Sequence, residues 1–345
     1  MSLYGILTGG GDCPGLNAAI RAAARGLMAN GHTAIGIRDG WRGLVETDLV
    51  PLTRRTVSGI LPRGGTILGT SGFDPFREES GVEKLLETNR SLEISGVIAI
   101  GGEGTLGIAH RLRAEHDYPV VGVPKTIDND LPGTDVTIGF DTAVQVCTEA
   151  IARLHTTAES HDRIMVVEVM GRSTGWIAAA SGVAGGADVI LLPEEATPIE
   201  DACDSLRQRH DSGRDFSIVV VAEGYRLTRR SGEQEELVVQ ELDRYGYARL
   251  GGIGRVVADE IERLTGFETR VTVLGHVQRG GTPTARDRIL ATRLGLKAVD
   301  LALGGVWGRM AAALGDEIVD VPLEEAARGH KAVPADWIRG GRTVA

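Results

Sequence analysis

The segment Pro124-Lys125-Thr126-Ile127-Asp128-Asn129-Asp130 packs one lysine and two aspartates around a Thr-Ile pair, directly after the apolar run Pro119-Val120-Val121-Gly122-Val123. A buried strand that ends in such a cluster sets charge at the mouth of a sheet. Asp128 can take a proton from an alcohol, and Lys125 can neutralise charge building on a phosphoryl group. Asp130 or a nearby acid can hold a metal. Together these capacities read as phosphoryl transfer.

Two glycine turns follow other apolar runs. Thr8-Gly9-Gly10-Gly11-Asp12 leads into Asn17-Ala18-Ala19-Ile20, and Gly101-Gly102-Glu103-Gly104-Thr105 leads into a second helical pattern. Glycine lets backbone amides approach phosphate oxygens, and a helix start adds positive potential. The first turn is neither GxGxxG nor GxxxxGK[ST], which disfavours a dinucleotide fingerprint or a Walker loop. A turn that merely packs strand against helix is the competing reading. Glu103 makes sense at a phosphate site chiefly if Mg²⁺ bridges it to the phosphate. The alternative is an acid that simply favours a helix N-terminus.

A third set of segments carries arginine, histidine or acid. These are His161-Asp162-Arg163, Met170-Gly171-Arg172, Ala222-Glu223-Gly224, Glu268-Thr269-Arg270 and Gly275-His276-Val277-Gln278-Arg279-Gly280-Gly281. Arg163, Arg270, His276 and Arg279 can clamp a phosphate through directional guanidinium forks. Any one of them alone is ordinarily a solvated charge or a structural donor, so only convergence in space would make them a site.

The elements that must position these groups are short β-branched runs at 4–8, 33–37, 96–100, 120–123, 164–169, 188–192, 217–222 and 272–274, most followed by a helical pattern. Continuous apolar strands alternating with helices predict parallel sheets covered on both faces, with ligands beyond the carboxyl ends of the strands. The expected class is therefore α/β. At 345 residues the chain exceeds a usual single core, so two domains are expected.

Composition narrows the partners. The 48 glycines are about twice the average share of roughly 7%, which implies many close backbone approaches. A net charge of −10 argues against nucleic acid or an anionic membrane surface as partner. The N-terminus shows no leader pattern and no apolar run reaches membrane-spanning length, so a cytoplasmic protein is expected. Cys13, Cys147 and Cys203 are odd in number and lack metal spacing, which fits free thiols.

Taken in order, the TGGGD, GGEGT, PKTIDND, MGR and GHVQRGG segments resemble the motifs of the 6-phosphofructokinase family over nearly the whole chain. The resemblance implies two Rossmann-like three-layer domains with largely parallel sheets and an active site in the cleft between them. Residues 1–140 with about 278–327 would bind the donor, and 141–277 with about 328–345 would bind fructose 6-phosphate. Asp128 would be the general base, with Lys125, Thr126 and Arg172 contacting or neutralising the transferred phosphoryl group. Gly10, Gly11, Arg77, Gly104 and Thr105 would receive the donor, and Glu103 would hold Mg²⁺. Met170, Gly171 and Glu223 would position the sugar, while Arg163, Arg270, His276 and Arg279 grip its 6-phosphate. In bacterial relatives Arg163 and Arg270 would come from a neighbouring subunit, which implies a homo-oligomer, a tetramer or dimer.

Departures from the best-known bacterial pattern sharpen the expectation. Lys125 stands where the family's ATP enzymes commonly carry glycine, and Gly72 where they carry arginine. That exchange resembles the branch holding both pyrophosphate-dependent enzymes and close ATP-dependent relatives, as does the long segment 225–255. Pyrophosphate enzymes carry aspartate at the position of Gly104, where a side chain would meet the α-phosphate of a nucleotide. ATP is therefore the expected donor and pyrophosphate the alternative. Arg21, Arg25 and Arg54 match an effector site of allosteric relatives, yet His155 replaces an arginine there and the basic cluster near Arg214 is reduced. An oxidoreductase would need a dinucleotide fingerprint, and an inactive sugar-phosphate sensor would have no use for Asp128.

Overall fold

The computed structural model describes residues 1–234, 239–242, 248–335 and 337. In chain order the elements are β1 (Leu3–Thr8), α1 (Leu16–Ala29), β2 (Thr33–Ile37), α2 (Arg42–Glu46), β3 (Leu49–Leu52), α3 (Gly81–Ser91), β4 (Ile94–Gly101), α4 (Glu103–His116), β5 (Val120–Pro124), α5 (Phe140–His161) and β6 (Ile164–Val169). They continue with α6 (Trp176–Gly185), β7 (Val189–Leu191), α7 (Ile199–Asp211), β8 (Ser217–Ala222), β9 (Val239–Leu242), β10 (Ala248–Leu250), α8 (Ile253–Thr265), β11 (Thr269–Val273), α9 (Ala285–Leu303), β12 (Arg309–Leu314) and β13 (Glu317–Pro322). Parts of the long segment 225–255, at 235–238 and 243–247, lie outside the described residues, as do 336 and 338–345 of the C-terminal tail.

The α/β expectation holds, and the chain divides into two compact units. The first unit is Met1–Thr142 with Arg279–Gly329, and the second is Ala143–Gln278 with His330–Ala345.

The first unit is built on a seven-stranded sheet in the order β13-β12-β5-β4-β1-β2-β3. Its five central strands are parallel, while β3 and β13 run antiparallel at the edges. Parallel strands are buried on both faces and read as continuous apolar runs. On one face Leu7, Val97, Ala99 and Val120 pack with Leu44, Leu85, Leu106 and Leu112. Their alternate neighbours Ile6, Ile98 and Ile100, equally buried, face the other way. There α1 and α9 pack against each other and against the central strands. From β1 the chain crosses to β2 on one side, and from β4 to β5 on the other. The carboxyl ends of β1 and β4 thus form a topological switch point, where α/β sheets collect ligands.

The second unit has a four-stranded parallel sheet, β11-β6-β8-β7. Val166, Val219 and Val221 pack with Ile199, Leu206, Val257 and Ile261 of α7 and α8. Glu168, buried at 2% exposure within β6, accepts hydrogen bonds from the backbone N–H of Gly252 (3.1 Å) and Gly254 (2.7 Å). A carboxylate at the start of α8 satisfies amides that the helix cannot pair itself.

Candidate active site

Both glycine turns of the first unit sit at the switch point. The Gly9 N–H donates to Ile100 O at 3.0 Å, which ties the turn after β1 to the end of β4. Thr105, in the first turn of α4, explains two of the glycines: a Cβ on Gly9 or Gly101 would collide with its side chain. Thr105 is itself buried, and its carbonyl accepts from Trp41 Nε1 at 3.1 Å. Its side chain thus packs inward beneath the two turns. Gly10 has φ +77° and its N–H donates to Ser71 O at 2.9 Å, while Gly11 is the exposed glycine of the turn.

Lys125 directly follows β5 and is 2% exposed. Its ammonium donates to the carbonyl of Gly9 at 2.9 Å and also to that of Gly11. Burial pushes its pKa below the usual lysine range, with Arg279 acting in the same direction and Cys13, Asp12 and Asp128 opposing it. Arg279 belongs to the first unit and lies against the same turn, its guanidinium donating to Asp12 O at 3.3 Å. A Cβ on Gly11 would meet Arg279 Nη1 at 2.5 Å. Two cations therefore flank one amide-rich turn.

The remainder of the PKTIDND segment is a hydrogen-bonded turn. The Asp128 N–H donates to Thr126 Oγ1 at 3.1 Å, and Thr137 Oγ1 donates to Thr126 O at 2.6 Å. Asn129, at φ 51°, accepts from the Thr137 N–H at 3.1 Å through Oδ1 and donates to Asp135 O at 3.2 Å through Nδ2. Asparagine tolerates this left-handed conformation better than most residues. Asp128 and Asp130 are left half-buried at the turn.

Glu103 and Gly104 are exposed in the first turn of α4. Arg77 is also exposed and pairs with Asp74 at 3.4 Å.

In the second unit the acceptor candidates occupy the carboxyl ends of the parallel strands. Met170, Gly171 and Arg172 follow β6, Glu223 follows β8, and His276 lies beyond β11. Gln278, fully buried, joins two of these ends. Its Oε1 accepts from the Met170 N–H at 3.2 Å, and its Nε2 donates to Gly275 O at 3.0 Å. Arg163 and Arg270 share one carboxylate, because Glu268 pairs with Arg163 at 2.9 Å and also with Arg270. Pairing with Arg163 first, and with Arg270, holds the Glu268 carboxyl below its usual range.

Of the four residues expected at a sugar phosphate, Arg163, Arg270 and His276 thus belong to the second unit and Arg279 to the first. Sequence reasoning gave no role to Asn129, Thr137, Glu268 or Gln278. Asn129 and Gln278 stand inside the motifs, but their function is to hold backbone, a role that becomes visible only when the partner segment is in place.

Parallel α/β sheets with amide-rich glycine turns at a switch point define a class of proteins that handle phosphate groups. A family model described as phosphofructokinase matches residues 4–302. The chain is 54% identical over 330 residues to a pyrophosphate–fructose 6-phosphate 1-phosphotransferase of Streptomyces coelicolor, covering 95% of each chain. It is 52% identical over 334 residues to an ATP-dependent 6-phosphofructokinase of Chloroflexus aggregans, covering 93% of this chain and 90% of the relative. The structure matches the phosphofructokinase of Saccharomyces cerevisiae with a TM-score of 0.82 and 31% identity, over 95% of this chain and 45% of the yeast chain. The present chain belongs to the phosphofructokinase family.

Proposed function

We propose that this chain transfers a phosphoryl group to the 1-hydroxyl of fructose 6-phosphate, giving fructose 1,6-bisphosphate. The observation that carries the reading is the placement of Asp128 three residues after Lys125 on one hydrogen-bonded turn, with the Lys125 ammonium bound to the glycine turn after β1. Asp128 removes the hydroxyl proton as the oxygen attacks phosphorus. Lys125, Thr126 and Arg172 neutralise charge on the transferred group. Gly10, Gly11, Arg77, Gly104 and the Thr105 turn take the donor. Met170, Gly171 and Glu223 orient the sugar, and Arg163, Arg270, His276 and Arg279 hold its 6-phosphate, with Arg163 and Arg270 serving a neighbouring copy in a homo-oligomer.

Mg²⁺ completes the proposal. Among the described residues no group of three or more His, Cys, Asp or Glu could hold a metal. A single exposed carboxylate still fits Mg²⁺, which keeps several waters and takes one or two carboxylates together with substrate phosphates. Glu103 would hold the ion, which when bound offsets negative charge on the donor.

Two observations bear on the donor, and they differ. The relatives' names lean to pyrophosphate, the alternative of the sequence reading, with 54% identity to the Streptomyces protein against 52% to the ATP-dependent Chloroflexus protein. Two further relatives at 53% identity bear the pyrophosphate name, so the names favour the alternative. Gly104 lies in the donor turn itself and has no side chain to oppose a nucleotide α-phosphate. The proposal takes MgATP as donor on this ground and keeps pyrophosphate as the second reading. Purified protein assayed for fructose 1,6-bisphosphate with each donor in turn decides the matter. Product with MgATP supports the first reading, product with pyrophosphate alone replaces it with the second, and no product with either overturns both.

A further inference from the structure

Asp287, in the first turn of α9, is fully buried and lies more than 140 residues in sequence from the segment that it holds. Its carboxylate accepts three hydrogen bonds from one segment. Oδ1 accepts from the Gly139 N–H at 2.9 Å, and Oδ2 accepts from the Thr142 N–H at 2.9 Å and its hydroxyl at 2.5 Å. Thr142 Oγ1 in turn accepts from the Thr284 N–H at 3.1 Å, and Thr284 Oγ1 accepts from Asp287 N at 3.2 Å. Removing a carboxylate from water is costly unless such donors replace its hydration. Desolvation accordingly pushes the Asp287 carboxyl above its usual range, against the pull of these hydrogen bonds.

The held segment, 137–142, supports the PKTIDND turn at its other end. Thr137 donates to Thr126 O and to Asn129 Oδ1, and the Ile138 N–H donates to Pro124 O at 3.2 Å. Ile138 O also accepts from Cys13 Sγ at 3.4 Å, which brings in the turn after β1. A continuous set of hydrogen bonds thus runs from Asp287 through residues 137–142 to the backbone around Lys125 and Asp128.

We propose that Asp287 is a positioning residue for the Lys125–Asp128 turn, acting through the segment 137–142. The assignment rests on the phosphofructokinase reading for its effect on rate. An asparagine cannot replace the carboxylate, since its NH₂ would face an N–H donor on one side. Displacing a reacting group by about 1 Å can cost about 10²-fold in rate, and Asp128 is the group this chain of contacts would displace.

The test uses full-length Asp287→Asn, with Thr142→Val as a second variant that removes the hydroxyl donor to Asp287 and the acceptor of the Thr284 N–H while keeping the carboxylate. Each is checked for folding by thermal melting, then for kcat, for KM of fructose 6-phosphate, and for amide exchange at Asp128 and Thr137. Expected for Asp287→Asn is a fall in kcat of about 10²-fold with KM changed by less than about threefold. Amide exchange at Asp128 and Thr137 should be about tenfold faster or more, while β1 amides keep their protection. Thr142→Val should move both readouts in the same direction by less. A folded Asp287→Asn with wild-type kcat or wild-type exchange overturns the assignment. If Asp287→Asn does not fold, the same outcome in Thr142→Val does so. Should the wild-type protein make no fructose 1,6-bisphosphate, the phosphofructokinase reading falls, and the exchange rates still decide the role of Asp287.

Discussion

The ammonium of Lys125 lies 2.9 Å from the carbonyl oxygen of Gly9, so the charge on the PKTIDND turn is bonded to the backbone of the glycine turn. A side-chain charge held in place this way needs no reorganisation when charge develops beside it. Lys125→Met should therefore lower kcat by about 10² to 10³-fold, the scale of losing one such donor, with a smaller effect on KM for fructose 6-phosphate. A raised KM at unchanged kcat would make Lys125 a ground-state binding group instead.

The same burial gives a pH signature. The Lys125 pKa is lowered, chiefly by desolvation, so its charge is present at low pH and is lost on the alkaline side earlier than in a free lysine at about 10.4. In wild type, kcat should decline with a midpoint below that value. The alkaline limb should be missing from Lys125→Met and should move to higher pH in Lys125→Arg, which stays charged. Superimposable profiles for wild type and the arginine variant would exclude Lys125 as the titrating group.

Replacing Asp128 by serine should reduce turnover by about 10² to 10⁴-fold, the usual contribution of a positioned base. Binding of fructose 6-phosphate should persist, since the acceptor candidates after β6, β8 and β11 are untouched. Calorimetric titration beside steady-state kinetics separates the two effects. A loss smaller than about tenfold would remove Asp128 from the role of base.

Gly104 offers a clean donor test because it lies in the exposed first turn of α4. An aspartate there sits at a helix N-terminus, where negative charge is favoured, so Gly104→Asp should fold as stably as wild type. Its kcat/KM with MgATP should fall by about tenfold or more, while that with pyrophosphate rises. Measuring both donors at one Mg²⁺ concentration reads the switch directly. A wild-type preference for pyrophosphate would make Lys125 rather than Gly104 the informative position.

Stability should carry an acid-side signature at Glu260 of α8. Arg263 at 2.7 Å and Arg229 at 2.5 Å, in that order of effect, lower its carboxyl pKa from 4.5 to about 2. A depressed carboxylate stabilises the fold above its unfolded pKa and loses that contribution as pH falls through the folded value. Glu260→Gln should lower stability at pH 7 by on the order of 1 kcal/mol or more, since the carboxylate is largely buried while its partner Arg263 is open to solvent. The gap should close between about pH 4.5 and pH 2. A gap that persists at pH 2 in denaturant melts would assign the effect to packing.

Much of this architecture was legible before any coordinates. The runs at 33–37, 164–169 and 217–222 coincide with β2, β6 and β8; the last two are valine-rich and buried on both faces, which leaves such stretches few other places to go. The motif order also identified the family, which the match over residues 4–302 bears out. Other strands were hidden for local reasons. β12 reads Arg-Met-Ala-Ala-Ala-Leu, a composition that favours helix, and is extended because β5 and β13 supply its hydrogen bonds. β3 contains Pro51, tolerable only because it runs along an edge. β11 begins three residues before the expected run, since Arg270 interrupts its apolar pattern.

Residue types and spacing alone determined the chemistry on offer: a base, cations and amide-rich turns at strand ends. Only the tertiary structure decided which of these groups meet. It set Arg279 against Gly11 in the first unit, turned Thr105 inward beneath Gly9 and Gly101, and bound Lys125 to two glycine carbonyls. It also gave Asp287 and Gln278 their backbone partners from segments more than 100 residues away. Sequence patterns report what each residue prefers locally. Hydrogen bonds between distant segments exist only once packing has removed the water that would otherwise satisfy both partners.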